Sequence, residues 1–362
     1  MKRALTLFGI NLALLVLVAA AAELIFGSLV LGTNYGLLVI DRNVDRTFDI
    51  AERYGRTAAG ATTTRYTRDE NGLRGDYGGD PATIDVLTIG GSTTNEILID
   101  NDETWTARLG QILRAAGQDL TVVNAGVDGQ STYGHLKNFE LWFPKIQGLK
   151  PAYVIAYIGI NDTAYLQANH QPLKWDLMEE RNRTIKQYLI NNSALYGLYR
   201  TAKGMIRARE AMLVHAIPSD KDATWVAATP QPDAESVEAD YPDHMQAFED
   251  RVGELIRRIR ALGAKAVIVT QVTGHVRIGE DGTVLGRLQP DGQVDINDYA
   301  KQMAHRFRAM KACKKAEAIC IDLAGGLRFG EGDHYDFVHT TPRGSEKVAR
   351  FVAKGFLPSL EK

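Results

Sequence analysis

The N-terminal part of the chain is one long apolar stretch. From residue 4 to residue 31 the only charged side chain is that of Glu23. A helix needs about 20 mostly apolar residues to cross the hydrocarbon core of a bilayer, and this stretch is long enough. Residues 1–32 are therefore predicted to form a single membrane-spanning helix.

The flanks of this stretch predict its orientation. Lys2 and Arg3 precede it, and basic residues favour the cytoplasmic side, so the remainder of the chain is expected outside the membrane. A cleaved signal peptide is the alternative, because Ala19–Ala22 resembles the small-residue region where such peptides are cut. The apolar character resumes at Leu24 and continues to Leu31, which is long for a signal peptide and favours an uncleaved anchor.

Beyond residue 84 the hydrophobic pattern alternates between two periods. Short runs of β type occupy residues 84–89, 120–124, 153–158, 266–270 and 318–323. Helical spacing of apolar residues is found over 103–116, 134–146, 244–262, 295–315 and 341–355. Strands that alternate with helices predict a mostly parallel sheet covered on both faces. We therefore expect residues 84–362 to form a three-layer α/β/α domain of flavodoxin-like type.

Three segments depart from this alternation. Residues 33–83 are mixed in character and contain the turn-forming run 69–72, so they are interpreted as a spacer and lead-in to the domain. Insertions interrupt the pattern near 165–242 and 274–294. The second predicts a β-hairpin with its turn at 280–283, serving either as a flap over the site or as decoration.

The first insertion has two parts. Apolar residues alternate with Arg200, Lys203, Arg207 and Arg209, which is typical of a basic amphipathic helix. A helical pair on the domain surface, a lid, and a contact with the membrane surface all fit this pattern. Residues 218–243 are rich in proline and acidic residues and predict an exposed loop.

Composition narrows the classes of partner. The chain has 362 residues, of which 45% are hydrophobic, so it can bury a sizeable core. Its 42 basic and 44 acidic residues leave a net charge of −2, which gives no reason to expect nucleic acid as a partner. The two cysteines, Cys313 and Cys320, are too few for a disulfide scaffold. They either pair in an exported domain or remain two buried thiols.

Polar motifs follow the first three predicted strands of the domain. They are Gly90-Gly91-Ser92, Gly126-Val127-Asp128-Gly129 and Gly159-Ile160-Asn161-Asp162. Ligand sites of open parallel sheets lie beyond the carboxyl ends of the strands. These three motifs are therefore expected to meet at one edge of the sheet.

One set of residues at this edge fits nucleophilic catalysis. A serine hydroxyl attacks a carbonyl only when a base removes its proton, and the base must itself be oriented. Ser92 is the candidate nucleophile, with His339 as base and Asp336 as the carboxylate behind it. A serine after glycines is also often structural or binds phosphate. A metal site involving Asp333 and His334 is the competing interpretation of the C-terminal motif.

Gly129 and Asn161 are the candidate donors to an oxyanion. A glycine lets the backbone N–H approach a substrate, and a side-chain amide can donate as well. Each has an ordinary alternative, a turn glycine and a capping asparagine. Thr94 occupies the last glycine position of the Gly-x-Ser-x-Gly elbow, which argues against the α/β-hydrolase fold.

The order Ser92, Gly129, Asn161, His339 resembles the SGNH hydrolases, the GDSL-like lipases and esterases, over roughly residues 84–357. The resemblance implies that Ser92, Asp336 and His339 form a catalytic triad, and that Ser92, Gly129 and Asn161 supply the oxyanion hole. The first block usually reads Gly-Asp-Ser, whereas this chain has Gly-Gly-Ser-Thr-Thr, as membrane-anchored bacterial members often do. Ser131 fits the second block rather than a nucleophile.

The resemblance also implies an activity. We expect a serine esterase that works through an acyl-enzyme on Ser92 and requires no metal or organic cofactor. The expected substrates are O-acetyl or other acyl esters, on envelope or exported polysaccharide, on lipid or on small molecules. An O-acyltransferase using the same triad, and a non-catalytic glycan-binding or assembly protein, are the alternatives. The expected location is the outer side of a bacterial cytoplasmic membrane, and the oligomeric state is left open.

Overall fold

A computed structural model describes residues 2–27, 40–166 and 223–360, except 275, 290 and 297, together with residues 29, 185, 189, 193–196 and 199. Its contacts divide the chain into two compact units. The smaller unit comprises residues 1–39 and 177–216, and the larger comprises 40–176 and 217–362. Most of the basic amphipathic stretch predicted in the first insertion lies outside the described residues.

The smaller unit contains the apolar helix α1 (Lys2–Phe26). Its segment Thr6–Ile25 is long and apolar enough to cross a membrane, which a membrane anchor and a signal sequence both satisfy. The carboxylate of Glu23 accepts hydrogen bonds from the backbone N–H groups of Ala194 and Leu195, at 2.9 and 3.0 Å. The one charge of this stretch is therefore hydrogen-bonded within the unit.

The larger unit alternates strands and helices. Its described strands are β1 (Val44–Asp49), β2 (Thr63–Arg68), β3 (Val86–Gly90), β4 (Val122–Asn124), β5 (Tyr153–Ile158), β6 (Trp225–Ala227), β7 (Lys265–Thr270), β8 (Arg277–Ile278), β9 (Val284–Leu288), β10 (Val294–Asp295) and β11 (Ile319–Ile321). Its described α-helices are α2 (Ser92–Asn95), α3 (Trp105–Ala115), α4 (Thr132–Leu141), α5 (Ala234–Asp240), α6 (Pro242–Ala261), α7 (Tyr299–Lys315), α8 (Leu323–Gly326) and α9 (Pro342–Phe356). Short 3₁₀ turns occur at Pro81–Thr83, Asn101–Glu103, Phe143–Lys145, Asn161–Leu166 and Leu357–Ser359.

The central sheet has five parallel strands in the order β11-β7-β5-β3-β4. Numbered along the chain, this is the 2-1-3-4-5 order of flavodoxin-like folds, and it confirms the predicted fold class. The order reverses between β3 and β5, so the crevice for a ligand is expected at the carboxyl ends of these two strands.

Helices cover both faces of this sheet, as the burial of β3 and β5 requires. Helices α3 and α9 pack against each other, and Leu109 and Val352 join Val86, Ile155 and Val267 in one core cluster. Helix α6 packs between α4 and α7 and supplies the second layer. Helices α3, α6 and α9 each bury an apolar stripe, which is the 3.6-residue period seen in the sequence.

The region predicted as spacer is part of the larger unit from residue 40 onwards. Strands β1 and β2 pair antiparallel, and the predicted turn is present, with the Gly72 N–H donating to Asp69 at 3.1 Å. Buried Arg74 donates to the carbonyls of Asn95 and Ile99, both at 2.5 Å. This packing is absent from the hydrophobic pattern because it depends on polar contacts with residues more than twenty positions away.

A second, antiparallel sheet has the order β10-β9-β6, with β8 also paired to β9. The pairs Arg277–Leu285 and Ile278–Val284 confirm the predicted hairpin. The prediction of an exposed loop over 218–243 is wrong where β6 and α5 form. Strand β6 pairs with β9, about sixty residues further along the chain, so local composition does not reveal it.

Cys313 and Cys320 form a disulfide, which decides between the two readings of these residues. Cys313 lies in the last turns of α7, and Cys320 lies in the middle of β11. The bond therefore fastens this helix to the edge strand of the central sheet.

Candidate active site

Ser92 is the first residue of α2 and lies just beyond the carboxyl end of β3. The two glycines before Ser92 let neighbouring side chains pack closely against the backbone. A Cβ atom at Gly90 would collide with the Thr94 side chain, and one at Gly91 would collide with the side-chain amide of Asn161. The two glycines therefore allow close packing around the serine, and a side chain at position 91 would displace the Asn161 amide from its present place.

Ser92 is joined to the C-terminal motif across 247 positions of sequence. The Nε2 atom of His339 lies 2.8 Å from the Ser92 hydroxyl oxygen, and its Nδ1 atom lies 2.7 Å from an oxygen of Asp336. Both distances are those of hydrogen bonds. The three side chains therefore form a continuous relay from hydroxyl to imidazole to carboxylate.

The loop around His339 fixes this imidazole from several sides. The other oxygen of Asp336 accepts the backbone N–H groups of Val338 and His339, at 2.8 and 2.7 Å. The Tyr335 ring stacks on the imidazole with 5.7 Å between centroids and 12° between planes. Tyr335 also donates its N–H to the carbonyl of His339, so the loop closes on itself.

Asp336 and His339 shift each other's pKa in opposite directions, that of Asp336 downwards and that of His339 upwards. Burial raises the pKa of Asp336, but hydrogen bonds from the His339 ring and backbone outweigh burial and leave that pKa below its ordinary value. Burial lowers the pKa of His339, and the hydrogen bond and charge of Asp336 reverse this, so the pKa is raised. An ionised Asp336 therefore stabilises a protonated His339.

Asn161 and Gly129 reach the same edge from neighbouring strands. Asn161 begins the turn after β5, and its side-chain amide donates to the carbonyl of Gln130 at 2.8 Å while lying against Gly91. Gly129 has a φ of 75°, which lies in the left-handed region that favours glycine. The structure thus brings the sequence-predicted donors to the edge of the sheet that carries Ser92.

Hydrogen bonds from polar side chains link these loops to one another. The amide of Asn95 donates to Asp128 at 2.7 Å, and the amide of Asn124 donates to the carbonyl of Thr94 at 2.5 Å. On the other side, buried Asp162 accepts the Thr132 hydroxyl at 2.5 Å. The loops after β3, β4 and β5 are therefore linked pairwise by buried hydrogen bonds.

The sequence model of the GDSL-like lipase/acylhydrolase family matches residues 87–347. The chain belongs to this family. It is therefore a hydrolase that acts on ester bonds, and the resemblance to SGNH hydrolases drawn from the four sequence blocks is confirmed. A search of curated proteins finds no significant match.

Several solved structures resemble the GDSL-like chain at low identity. TesA is 14% identical, with 75% of this chain and 98% of TesA covered and a TM-score of 0.40. The acetyl xylan esterase AlAXEase is 13% identical, with 76% and 100% covered and a TM-score of 0.42. A variant of Axe2, an acetyl xylan esterase from Geobacillus stearothermophilus, is 13% identical, with 75% and 94% covered and a TM-score of 0.40.

Sequence reasoning missed Gln271, which follows β7 and bonds both to the residue after Ser92 and to β5 in this GDSL-like protein. Its side-chain amide donates to the Thr93 hydroxyl at 2.8 Å and to the Tyr157 carbonyl at 2.9 Å. Its carbonyl oxygen accepts the N–H of Ile160 at 3.2 Å. Gln271 directly follows β7, so its place at the carboxyl edge of the sheet was the signal that could have found it.

Asp333 and His334, the pair behind the metal-site alternative, have other surroundings. Asp333 is fully buried and pairs with Arg343 at 3.1 Å and with Lys347. The His334 ring packs edge-on against Phe329, and burial lowers the pKa of His334 to about 3. Among the residues that the structure describes, no group of three or more His, Cys, Asp or Glu side chains is placed to hold a metal ion.

Tyr335 also lines a cleft of about 830 Å³. Tyr54 forms another part of its wall and stands 5.7 Å from the Tyr335 ring, while Arg53, Arg56 and Arg343 lie around it. A cleft of this volume is within the range of small-ligand sites. Tyr335 therefore contacts both the imidazole of His339 and this cleft.

The packing around Gly91 generates a prediction. Gly91→Ala would push the Asn161 amide away from Ser92, and loss of one oxyanion donor typically costs about 10²–10³-fold in kcat. We expect a loss of this order with p-nitrophenyl acetate as substrate, and a similar loss for Asn161→Ala. Gly253→Ala is the matched control, since a Cβ there meets nothing within 4 Å. Activity of Gly91→Ala equal to that of the wild type would contradict this account.

Proposed function

We propose that Ser92, His339 and Asp336 are the catalytic triad of this GDSL-like hydrolase, and that the enzyme cleaves esters through an acyl-enzyme on Ser92. The observation that carries the proposal is the unbroken relay of 2.8 and 2.7 Å from the Ser92 hydroxyl through His339 to Asp336. Hydrogen-bonded nucleophile, base and orienting group are the general signature of an activated serine.

In the first half of the reaction, the Nε2 atom of His339 removes the Ser92 proton while the serine oxygen bonds to the ester carbonyl carbon. The N–H groups of Ser92 and Gly129 and the side-chain amide of Asn161 donate hydrogen bonds to the carbonyl oxygen and stabilise the negative charge that develops on it. The tetrahedral intermediate collapses, the bond to the alcohol breaks, and His339 returns its proton to the leaving oxygen.

In the second half, His339 removes a proton from water, and the hydroxide attacks the acyl carbon. The bond to Ser92 breaks, the serine oxygen regains the proton from His339, and the carboxylic acid leaves. Asp336 stays ionised throughout, because its pKa is held low, and stabilises the imidazolium that forms in each half. In each half, the imidazole therefore takes the proton from the attacking oxygen and delivers it to the leaving oxygen.

We further propose that the enzyme is anchored in a bacterial cytoplasmic membrane with the hydrolase on the outer side. Helix α1 supports the anchor, and Lys2 and Arg3 support a cytoplasmic N-terminus. The Cys313–Cys320 disulfide supports the outer side, because disulfides persist in oxidising compartments and are rare in the cytosol. The substrates within reach are O-acetyl and other acyl esters of envelope or exported polysaccharide, of lipid, or of small molecules.

The nucleophile is tested by Ser92→Ala. The variant is expected to lose labelling by a fluorophosphonate probe and to lose turnover on the order of 10⁶-fold, because no other hydroxyl is bonded to His339 among the described contacts. Ser131→Ala is the control, since Ser131 instead caps α4 by accepting the Tyr133 N–H, and it should label as the wild type does. Equal labelling of Ser92→Ala and wild type would refute the assignment.

Turnover measurements also distinguish the candidate substrates. The wild type is offered acetylated sugars and p-nitrophenyl esters of increasing chain length, with Ser92→Ala as the blank for each. Preference for acetyl groups on sugars would support a polysaccharide substrate, and preference for long chains would support a lipid ester.

The pH dependence follows from the raised pKa of His339. Only the neutral imidazole accepts a proton, so kcat/KM should fall as the pH drops through a pKa above the ordinary value of about 6.5. Asp336→Asn removes the charge that raises this pKa, so the acid limb should move to lower pH while the plateau falls by about 10⁴-fold. A profile of Asp336→Asn with its acid limb unmoved would contradict the assignment of this limb to His339.

The anchor is tested on protein extracted from membranes. N-terminal sequencing should find residue 1 or 2, and protease added to spheroplasts should digest the hydrolase domain while a cytosolic marker survives. A mature N-terminus at Glu23 would instead show a cleaved signal peptide. An intact N-terminus with a protected domain would place the hydrolase on the cytoplasmic side.

A further inference from the structure

Glu96 is a buried acid that the proposed reaction does not use. It directly follows α2, the helix that begins at Ser92, and it is 3% exposed. Burial raises the pKa of Glu96 to about 7, against the hydrogen bonds that favour its charged form. Burying an acid is costly unless its oxygens are hydrogen-bonded, so the contacts of this carboxyl group require an explanation.

The carboxyl group of Glu96 contacts three separate segments of the chain. One oxygen accepts the hydroxyl of Thr340 at 2.9 Å and that of Ser345 at 2.5 Å. The other oxygen accepts the backbone N–H of Trp105 at 2.7 Å. Thr340 immediately follows His339, and Ser345 lies in α9. The group thus links the end of the Ser92 helix directly to the residue after the catalytic base.

The backbone at Glu96 is held in an unusual conformation. Its φ is 49°, in the left-handed region that non-glycine residues seldom adopt. Its N–H donates to the carbonyl of Ser92 at 2.7 Å, and its carbonyl accepts from buried Arg74 at 2.9 Å. Such conformations persist only where the surroundings enforce them. The backbone bonds to Ser92 and Arg74 therefore fix the direction in which the Glu96 side chain leaves the backbone.

We propose that Glu96 is a positioning residue that holds the His339 loop against the Ser92 helix through the hydroxyl of Thr340. The inference rests on the proposed function of Ser92 and His339. The Ser92–His339 bond joins loops far apart in sequence, and the Glu96–Thr340 bond is a second, parallel link between the same loops. Misplacement of a catalytic group by about 1 Å can cost about 10²-fold in rate.

Two hydroxyls on one carboxyl oxygen provide a matched pair of variants. Thr340→Val removes the donor next to His339. Ser345→Ala removes the donor on α9, which also lies 2.9 Å from the Thr340 hydroxyl, and leaves the Glu96–Thr340 bond in place. We expect Glu96→Ala, which removes the acceptor, and Thr340→Val, which removes the donor, each to lower kcat by about 10–100-fold with KM little changed. The double variant should be no worse than the poorer single variant, because both remove one link.

Ser345→Ala should lower the melting temperature but keep kcat within a few-fold of the wild type. A wild-type kcat in Thr340→Val would overturn the proposal, as would a double variant that shows the product of both single losses. A loss of kcat in Ser345→Ala equal to that in Thr340→Val would show a merely structural role.

A second readout separates this inference from the proposed esterase mechanism. The N–H groups of Tyr335, Val338 and His339 are hydrogen-bonded within the loop, so their hydrogen exchange reports its order. In the full-length protein, Glu96→Ala and Thr340→Val should accelerate exchange in a peptide covering 335–339, and Ser345→Ala should not. Unchanged exchange in these variants would refute positioning by Glu96, whatever ester activity is found. Faster exchange in the variants of a protein whose wild type hydrolyses no ester would refute only the esterase mechanism.

Discussion

The 2.8 Å hydrogen bond between Ser92 and His339 is the contact on which the proposed chemistry depends. It joins residues 247 positions apart, so it exists only if the loop after β3 and the loop before α9 are both held in place. Ser92 begins a helix of only four residues and His339 lies in a loop, and segments this short would not by themselves hold two side chains at hydrogen-bond distance. The surrounding structure therefore has to supply the order that the loops lack.

The parallel sheet supplies the first part of that order. Because all five of its strands run in one direction, their carboxyl ends meet at a single edge, and the strand order reverses between β3 and β5. Polar side chains supply the second part. Asn95, Asn124, Asp162 and Gln271 are part-buried or buried, and each bonds a loop other than its own. Such networks give a unique arrangement only when nearly every member is satisfied.

Two glycines supply the third part, because they have no side chain and let other groups pack against the backbone. Gly90 and Gly91 allow the Thr94 side chain and the Asn161 amide to approach the backbone next to the serine. The first block of the family usually carries an aspartate where Gly91 stands. Here the Asn161 amide, which is proposed to bind the oxyanion, lies where a Cβ atom at position 91 would be.

The sequence by itself determined the sheet, the order of the motifs and the apolar helix. Short apolar runs of β type and 3.6-residue spacing predicted the strands and helices to within a few residues, because burial of a whole strand or of one helical stripe is a local signal. The resemblance to the family was also a local signal, since it rests on short contiguous motifs that bring Ser92, Gly129, Asn161 and His339 in order, with Asp336 just before the histidine.

Only the tertiary structure decided what depends on distant contacts. The pairing of β1 with β2 within the larger unit, the pairing of β6 with β9, and the Cys313–Cys320 bond were either unexpected or undecided. Gln271 and Glu96 were overlooked because one glutamine or one glutamate carries no periodic signal. Their roles come from partners brought close by the fold, and hydrogen bonds between distant residues leave no pattern along the chain.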